Sequence, residues 1–180
     1  MKHTRSLAKK HKLTDDPIPS VVGSGKLQLE QKEKEPVALS FIIMRKYDKE
    51  LGDYLEECAP TMFTIMSVIR ELIVAISLVH ESGYVYNDIK MENVMIKKYK
   101  SPSTRFYIKL IDYGFVTKYT DDAGNHLKPG KVNFFKGNLL FSSVSTLNFN
   151  VPSRKDDLIS LCYLMLYLFN GGKLPLFDTH

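Results

Sequence analysis

The sequence predicts an α+β fold, a mostly helical body with short β elements and two or three strands ahead of it. Three observations predict it. Apolar residues recur at helical spacing from Thr61 to His80, and a second helical segment, Asp156–Phe169, opens after Ser153 and stops at Gly171-Gly172. Short β-rich runs stand at Leu39–Met44, Val94–Ile96 and Tyr107–Ile111. At 180 residues the chain can bury one sizeable core. Its 44% hydrophobic and 25% charged residues exclude a disordered or fibrous class.

Residues 1–16 form a basic N-terminal segment, Met-Lys-His-Thr-Arg-Ser-Leu-Ala-Lys-Lys-His-Lys at its start. A solvated tail or helix end is favoured there over a nucleic-acid contact. Thr14–Pro19 reads as a turn or linker from its Asp and Pro content. Val21-Val22, Gly23-Ser24-Gly25 and Lys26–Leu29 read as a strand, a tight turn and a second strand. A lone G-x-G with no third glycine and no following helix favours that β-turn over a phosphate loop. The polar run Glu30–Glu35 separates it from the strand Leu39–Met44.

In the first helix the apolar positions are Phe63, Met66, Ile69, Ile73, Ile76 and Val79, widening to nearly all faces after Leu72. That predicts a deeply buried helix, ended by Ser82-Gly83. Thr117–Gly137 is a long irregular stretch rich in Gly, Asn and Lys, and such stretches usually carry function. Cys58 and Cys162 fit no metal or disulfide pattern, so buried thiols are expected. The N-terminal charges are not followed by an apolar stretch, and Leu72–Val79 and Leu161–Phe169 fall short of the ~20 residues of a membrane span. An intracellular protein, cytoplasmic or nuclear, with no membrane partner is expected. The net charge of +5 permits acidic substrates without demanding them.

The chemistry concentrates in Tyr86-Asn87-Asp88-Ile89-Lys90-Met91-Glu92-Asn93 and in Leu110-Ile111-Asp112-Tyr113-Gly114. Phosphoryl transfer asks for a carboxylate near the attacking hydroxyl, oxygen ligands for a hard cation, and a positive charge against the transferred group. Asp88 suits the first role and Lys90 the last. Asn93 and Asp112 offer oxygens to Mg²⁺. Two motifs in this order, each behind an apolar element, are a far stronger signal than either alone.

On these residues the chain resembles the protein kinase superfamily, and within it the casein kinase 1 group, most closely the vaccinia-related kinases. Val79–Lys90 is similar to their catalytic loop, and Asp112-Tyr113-Gly114 stands where most kinases have Asp-Phe-Gly. Gly137–Thr146 resembles the segment that replaces Ala-Pro-Glu, and Pro152–Leu161 the start of the group's central helix. The resemblance implies a protein kinase-like fold with a helical C-lobe and a truncated N-lobe, residues 17–180 forming a partial domain. It implies a serine/threonine kinase using ATP and Mg²⁺ on a protein substrate. It assigns catalysis to Asp88 and Lys90, metal binding to Asn93 and Asp112, and the adenine pocket to Met44, Lys46, Tyr47, Met95 and Ile111. Asp157 would hold the catalytic-loop backbone.

Some family features are not found in the sequence. It contains no G-x-G-x-x-G loop and no Val-Ala-x-Lys strand to hold the phosphates. Asn87 stands in place of the common arginine and Tyr86 in place of the usual histidine, while Leu140 replaces an arginine that binds primed substrates. Lys128, Lys131 and Lys136 read as a solvated basic loop or a lure for acidic substrates. The helix Leu161–Phe169 is expected to expose apolar surface open to a partner. A pseudokinase or a kinase fragment that binds nucleotide or a partner is the alternative to an active enzyme.

Overall fold

A computed structural model describes residues 16–31, 34–98 and 106–174. Strands β1 (Val21–Gln31) and β2 (Lys34–Met44) make an antiparallel hairpin from Val21↔Met44 to Gln31↔Lys34. Gly23, Ser24 and Gly25 lie inside β1, opposite Ile43, Ile42 and Phe41, so the turn expected there is a continuous strand. The cause is steric. A Cβ on Gly25 would sit 2.6 Å from the Phe41 ring, and glycine is what lets that ring lie across the strand. A register shift between Val21 and Gly23 marks an irregularity at the same end.

The body holds two small sheets. β3 (Lys49–Glu50), β5 (Val94–Lys98) and β6 (Phe106–Leu110) pair antiparallel in the order β3-β5-β6. β4 (Tyr84–Val85) pairs with β7 (Thr117–Lys118). The candidate loop therefore leaves one sheet at Val85 and enters the other at Val94. The rest of Thr117–Gly137 is irregular, as expected, apart from the bridges Thr120↔His126 and Lys131↔Asn150.

Helix α1 (Leu51–Cys58) follows β3, and α2 (Met62–Glu81) follows it. Thr61 starts α2 by accepting from the Thr64 N–H at 3.2 Å, and Gly83 at φ 85° lets the chain turn away beyond it. Ile65, Val68, Ile69, Leu72, Ala75, Ile76, Leu78 and Val79 are buried. At about 1.5–3 kcal/mol for each large side chain, this face is the main apolar contribution of the helix. Phe63, Met66 and Ile73, expected inside, are exposed, as is Met62. The buried stripe is rotated from the expected one because the helix docks through Ile65, Val68 and Leu72. By length and composition α2 could cross a membrane, yet it packs here as a core helix.

A short helix α3 (Val144–Leu147) precedes α4 (Arg154–Phe169). Ser153 and Asp156 close a capping box at its start. Leu161, Leu164 and Leu168 join the α2 core, whereas Leu158, Leu166 and Phe169 are exposed. Some apolar surface on α4 is thus open, as expected. Cys58 and Cys162 are both exposed, against the expectation of buried thiols, because each falls on the outer face of its helix. Pro17, Ile18 and Pro19 are buried rather than forming a free linker. The Pro17 carbonyl accepts from Leu110 N–H at 2.9 Å, and Ile18 enters the core. Residues 1–15, the bulk of the basic segment, lie outside the described residues.

Candidate active site

The loop after β4 is built around one buried carboxylate. Asp157, in the first turn of α4, accepts from Asn87 N–H at 2.8 Å through Oδ1 and from Tyr86 N–H at 2.8 Å through Oδ2. His80 Nε2, from the last turn of α2, lies 2.8 Å from the same Oδ2. Two long helices thus fix the entry to the loop. This is the backbone-holding geometry expected of Asp157. Tyr86 is fully buried, donates its hydroxyl to the Ile111 carbonyl, and meets Tyr113 edge-on at 5.5 Å. Burial, aided by the neighbouring Tyr113 and acidic groups, pushes the Tyr86 hydroxyl far above its ordinary pKa, so it remains a donor.

Asp88 is 1% exposed. Its Oδ2 accepts from Asn93 Nδ2 at 2.8 Å and lies 3.2 Å from Lys90 Nζ. Its Oδ1 is buried with no hydrogen-bond partner. An orphaned carboxylate oxygen costs free energy unless a ligand group satisfies it, so this atom is open to a donor from a bound ligand. Asn93 spends its amide on Asp88, donating also to the Asp88 carbonyl at 2.9 Å, which turns Oδ1 away as a neutral acceptor. It ends a 3₁₀ turn, Met91–Asn93.

Asp112 reaches the same neighbourhood through the β5–β6 pairing. Ile111 N–H donates to the Asn93 carbonyl at 2.9 Å, one residue before Asp112. Asp112 is exposed, adopts φ 56°, and accepts from Gly114 N–H at 3.0 Å. Asp88, Lys90, Asn93 and Asp112 are therefore gathered at one end of the β5–β6 pair. Among the described residues no group of three His, Cys, Asp or Glu forms a closed metal site.

On the adenine side, β3 pairs Glu50 with Met95, which brings the segment after Lys46-Tyr47 against β5. Met95, Ile111 and Tyr47 are half-buried, whereas Met44 and Lys46 are exposed at the foot of the hairpin. Clefts of ~610 and ~310 Å³ lie beside residues 126–136 and 145–155, and none of the predicted site residues lines either. Of the three loop lysines, Lys131 donates to the Asn148 carbonyl at 2.8 Å and Lys136 lies 5.3 Å over the Phe134 ring. Lys128 is exposed.

Sequence reasoning missed the residues that pin the irregular segment. Asn138 Nδ2 donates to the Ile89 carbonyl at 2.8 Å while its Oδ1 accepts from Phe141 N–H at 2.9 Å. Gly137, at φ 128°, packs so closely that a Cβ would sit 2.5 Å from the Asn87 carbonyl. The Gly-Asn dipeptide after a lysine-rich loop was the available signal.

A model of the protein kinase domain matches residues 28–179. A probable casein kinase I homolog of Encephalitozoon cuniculi is 34% identical over 140 residues, covering 76% of this chain and 42% of that protein. A probable serine/threonine-protein kinase of fowlpox virus is 27% identical over 151 residues, covering 83% of this chain and 48% of that one. The chain spans about half the length of these curated relatives. With the loop, its helical anchors and the second motif in place, the chain belongs to the protein kinase family, as a partial domain of casein kinase 1-like type.

Proposed function

We propose that this chain carries the catalytic half of an ATP-dependent serine/threonine protein kinase, moving the γ-phosphoryl group of ATP to a protein hydroxyl. The observation that carries the reading is the unpartnered Oδ1 of buried Asp88, held in place by Asn93. Asp88 takes or orients the proton of the attacking hydroxyl through that atom. Lys90 lends positive charge to the transferred group, and its pairing with Asp88 keeps it at the loop. Asn93 Oδ1 and the Asp112 carboxylate would hold Mg²⁺, which when bound neutralises charge on the phosphate oxygens. Met44, Lys46, Tyr47, Met95 and Ile111 would receive adenine. Acidic protein substrates and an intracellular location, cytoplasmic or nuclear, belong to the same reading.

The exposure of Met44 and Lys46 favours a second reading. In it the 180-residue chain by itself binds nucleotide or a partner with little turnover. Labelled-ATP transfer to casein separates the two. The chain is assayed alone and fused behind strands that supply a Gly-rich loop and a Val-Ala-x-Lys lysine. The fusion is expected to transfer phosphate, and Asp88→Asn to reduce transfer by about 10²–10⁴-fold. Transfer that survives Asp88→Asn would overturn the role of Asp88. Mg²⁺-dependent nucleotide binding by the fusion without transfer would support the second reading.

A further inference from the structure

Asn170-Gly171 is the single Asn-Gly step in the sequence, and it falls where α4 ends. Asn170 follows Phe169, and its N–H closes on the Leu166 carbonyl at 2.9 Å. Gly171 and Gly172 come next at φ 63° and 84°, a left-handed pair that turns the chain away from the helix. Gly172 N–H donates to the Tyr167 carbonyl at 2.9 Å, and Leu174 then returns to the core, 7% exposed. Asn170, Gly171, Gly172 and Lys173 are all exposed.

We propose that Asn170 is a self-modification site, at which the Gly171 nitrogen attacks the Asn170 side chain and converts it to aspartate and isoaspartate. Asparagine is a thermolabile side chain, and the residue after it decides how open it is to this attack. The Gly171 N–H has no hydrogen-bond partner among the described residues, so giving its proton to hydroxide breaks no bond of the fold. Where a Cβ of residue 171 would stand there is no atom within 4 Å beyond the chain neighbours, which leaves the path to the Asn170 Cγ unobstructed. Asn170 Nδ2 donates to the Lys173 carbonyl at 3.1 Å, which folds the carboxamide over the same turn. The two glycines give the backbone the rotation that brings nitrogen and Cγ together. The other asparagines differ. Each is followed by a residue that carries a β-carbon, and Asn87 and Asn93 are also buried.

In the reaction the deprotonated Gly171 nitrogen bonds to Cγ, and the Cγ–Nδ2 bond breaks with release of ammonia. The cyclic succinimide then takes up one water. Opening at Cγ leaves aspartate, and opening at the main-chain carbonyl leaves isoaspartate, with the chain routed through the side chain. Both products place a carboxylate at the C-terminal end of α4, where the last carbonyls already carry partial negative charge. Both also remove the donor to Lys173, and isoaspartate lengthens the main chain inside the turn that returns Leu174 to the core. The modification loosens the end of α4 as the protein ages.

The test holds the whole chain at body temperature, at neutral and at mildly alkaline pH, and follows its tryptic peptides by mass. Peptide 156–173 is expected to gain the mass of an amide turned acid and to split into two chromatographic products. One of them is expected to accept a methyl group from an isoaspartyl methyltransferase. The yield is expected to grow faster at the alkaline pH, since the attacking nitrogen must lose its proton. Peptides 132–136 and 137–154, which hold Asn133, Asn138, Asn148 and Asn150, are expected to stay unmodified. Conversion of all asparagines at one rate, or conversion confined to the urea-unfolded chain, would overturn the proposal. Asn170→Gln keeps an amide but must close a larger and slower ring, so it is expected to abolish the reaction, and an undiminished yield would refute the proposal as well. In aged wild-type protein, hydrogen exchange at the Asn170 and Gly172 amides is expected to rise about threefold or more, with residues 69–75 of α2 unchanged. Equal exchange in fresh and fully converted protein would overturn the effect on α4.

Discussion

Asp157 and Gly137 set the geometry of the loop from outside it. Replacing Asp157 by alanine leaves the buried N–H groups of Tyr86 and Asn87 without acceptors. A loss of about 3 kcal/mol or more in urea-unfolding stability is expected, far above that of an exposed substitution such as Asp122→Ala. Gly137→Ala meets a backbone carbonyl, which cannot rotate away, at a positive φ as well. It is expected to cost about 2 kcal/mol or more, whereas Gly25→Ala meets only the half-exposed Phe41 ring and should cost less. The motifs that hold Asp88, Lys90, Asn93 and Asp112 were legible in the sequence, and the structure brings the four to one end of the β5–β6 pair. The anchors Asn138 and Gly137 were not, since their partners at Ile89 and Asn87 are distant in the chain and no periodicity points across such a gap.

Helices announce themselves through their caps more reliably than through their buried faces. Ser153 stood where its sequence placed it, while the expected buried stripe of α2 held only at Ile69, Ile76 and Val79. A cap is a contact within one turn, but the face that docks is chosen by α4 and β6, which lie far along the chain. The cap of α4 also titrates. Burial raises the Asp156 pKa, but hydrogen bonds from Lys155, Ser143 and Ser153 outweigh it and hold the carboxyl below its ordinary 3.8. A depressed folded pKa gives stability that is present above 3.8 and lost as pH falls through the lower folded value. Asp156→Asn should therefore lower the melting temperature at pH 7, with the gap to wild type closing below about pH 3.8. A gap that stays constant down to pH 2 would refute this origin. Ser153→Ala is expected to cost about 1 kcal/mol through the same cap.

At the scale of the molecule, the hairpin stands apart from the helical body. Leu27, Leu29, Val37, Leu39, Phe41 and Ile43 share one face by register, and all are exposed. Surface of that kind drives association that salt does not weaken. The 180-residue chain is expected to self-associate in sedimentation velocity, and a double change, Leu39→Glu with Phe41→Glu, to shift it toward monomer. Unaltered association in the variant would assign the contact to α2 or α4 instead. That the strands exist was readable from composition. That their apolar face lacks a cover was not, because alternation reports which side a residue takes and is silent about what lies opposite.

The reach of Asp157 has a consequence for synthesis. Its partners Tyr86, Asn87 and His80 precede it by 71, 70 and 77 residues. A nascent chain that has emerged as far as the β5–β6 pair already holds every atom of the loop but not the carboxylate that shapes it. The loop acquires its working form only after α4 has left the ribosome and docked, so a pause or stop codon ahead of residue 157 yields a protein with its chemical groups present and unassembled.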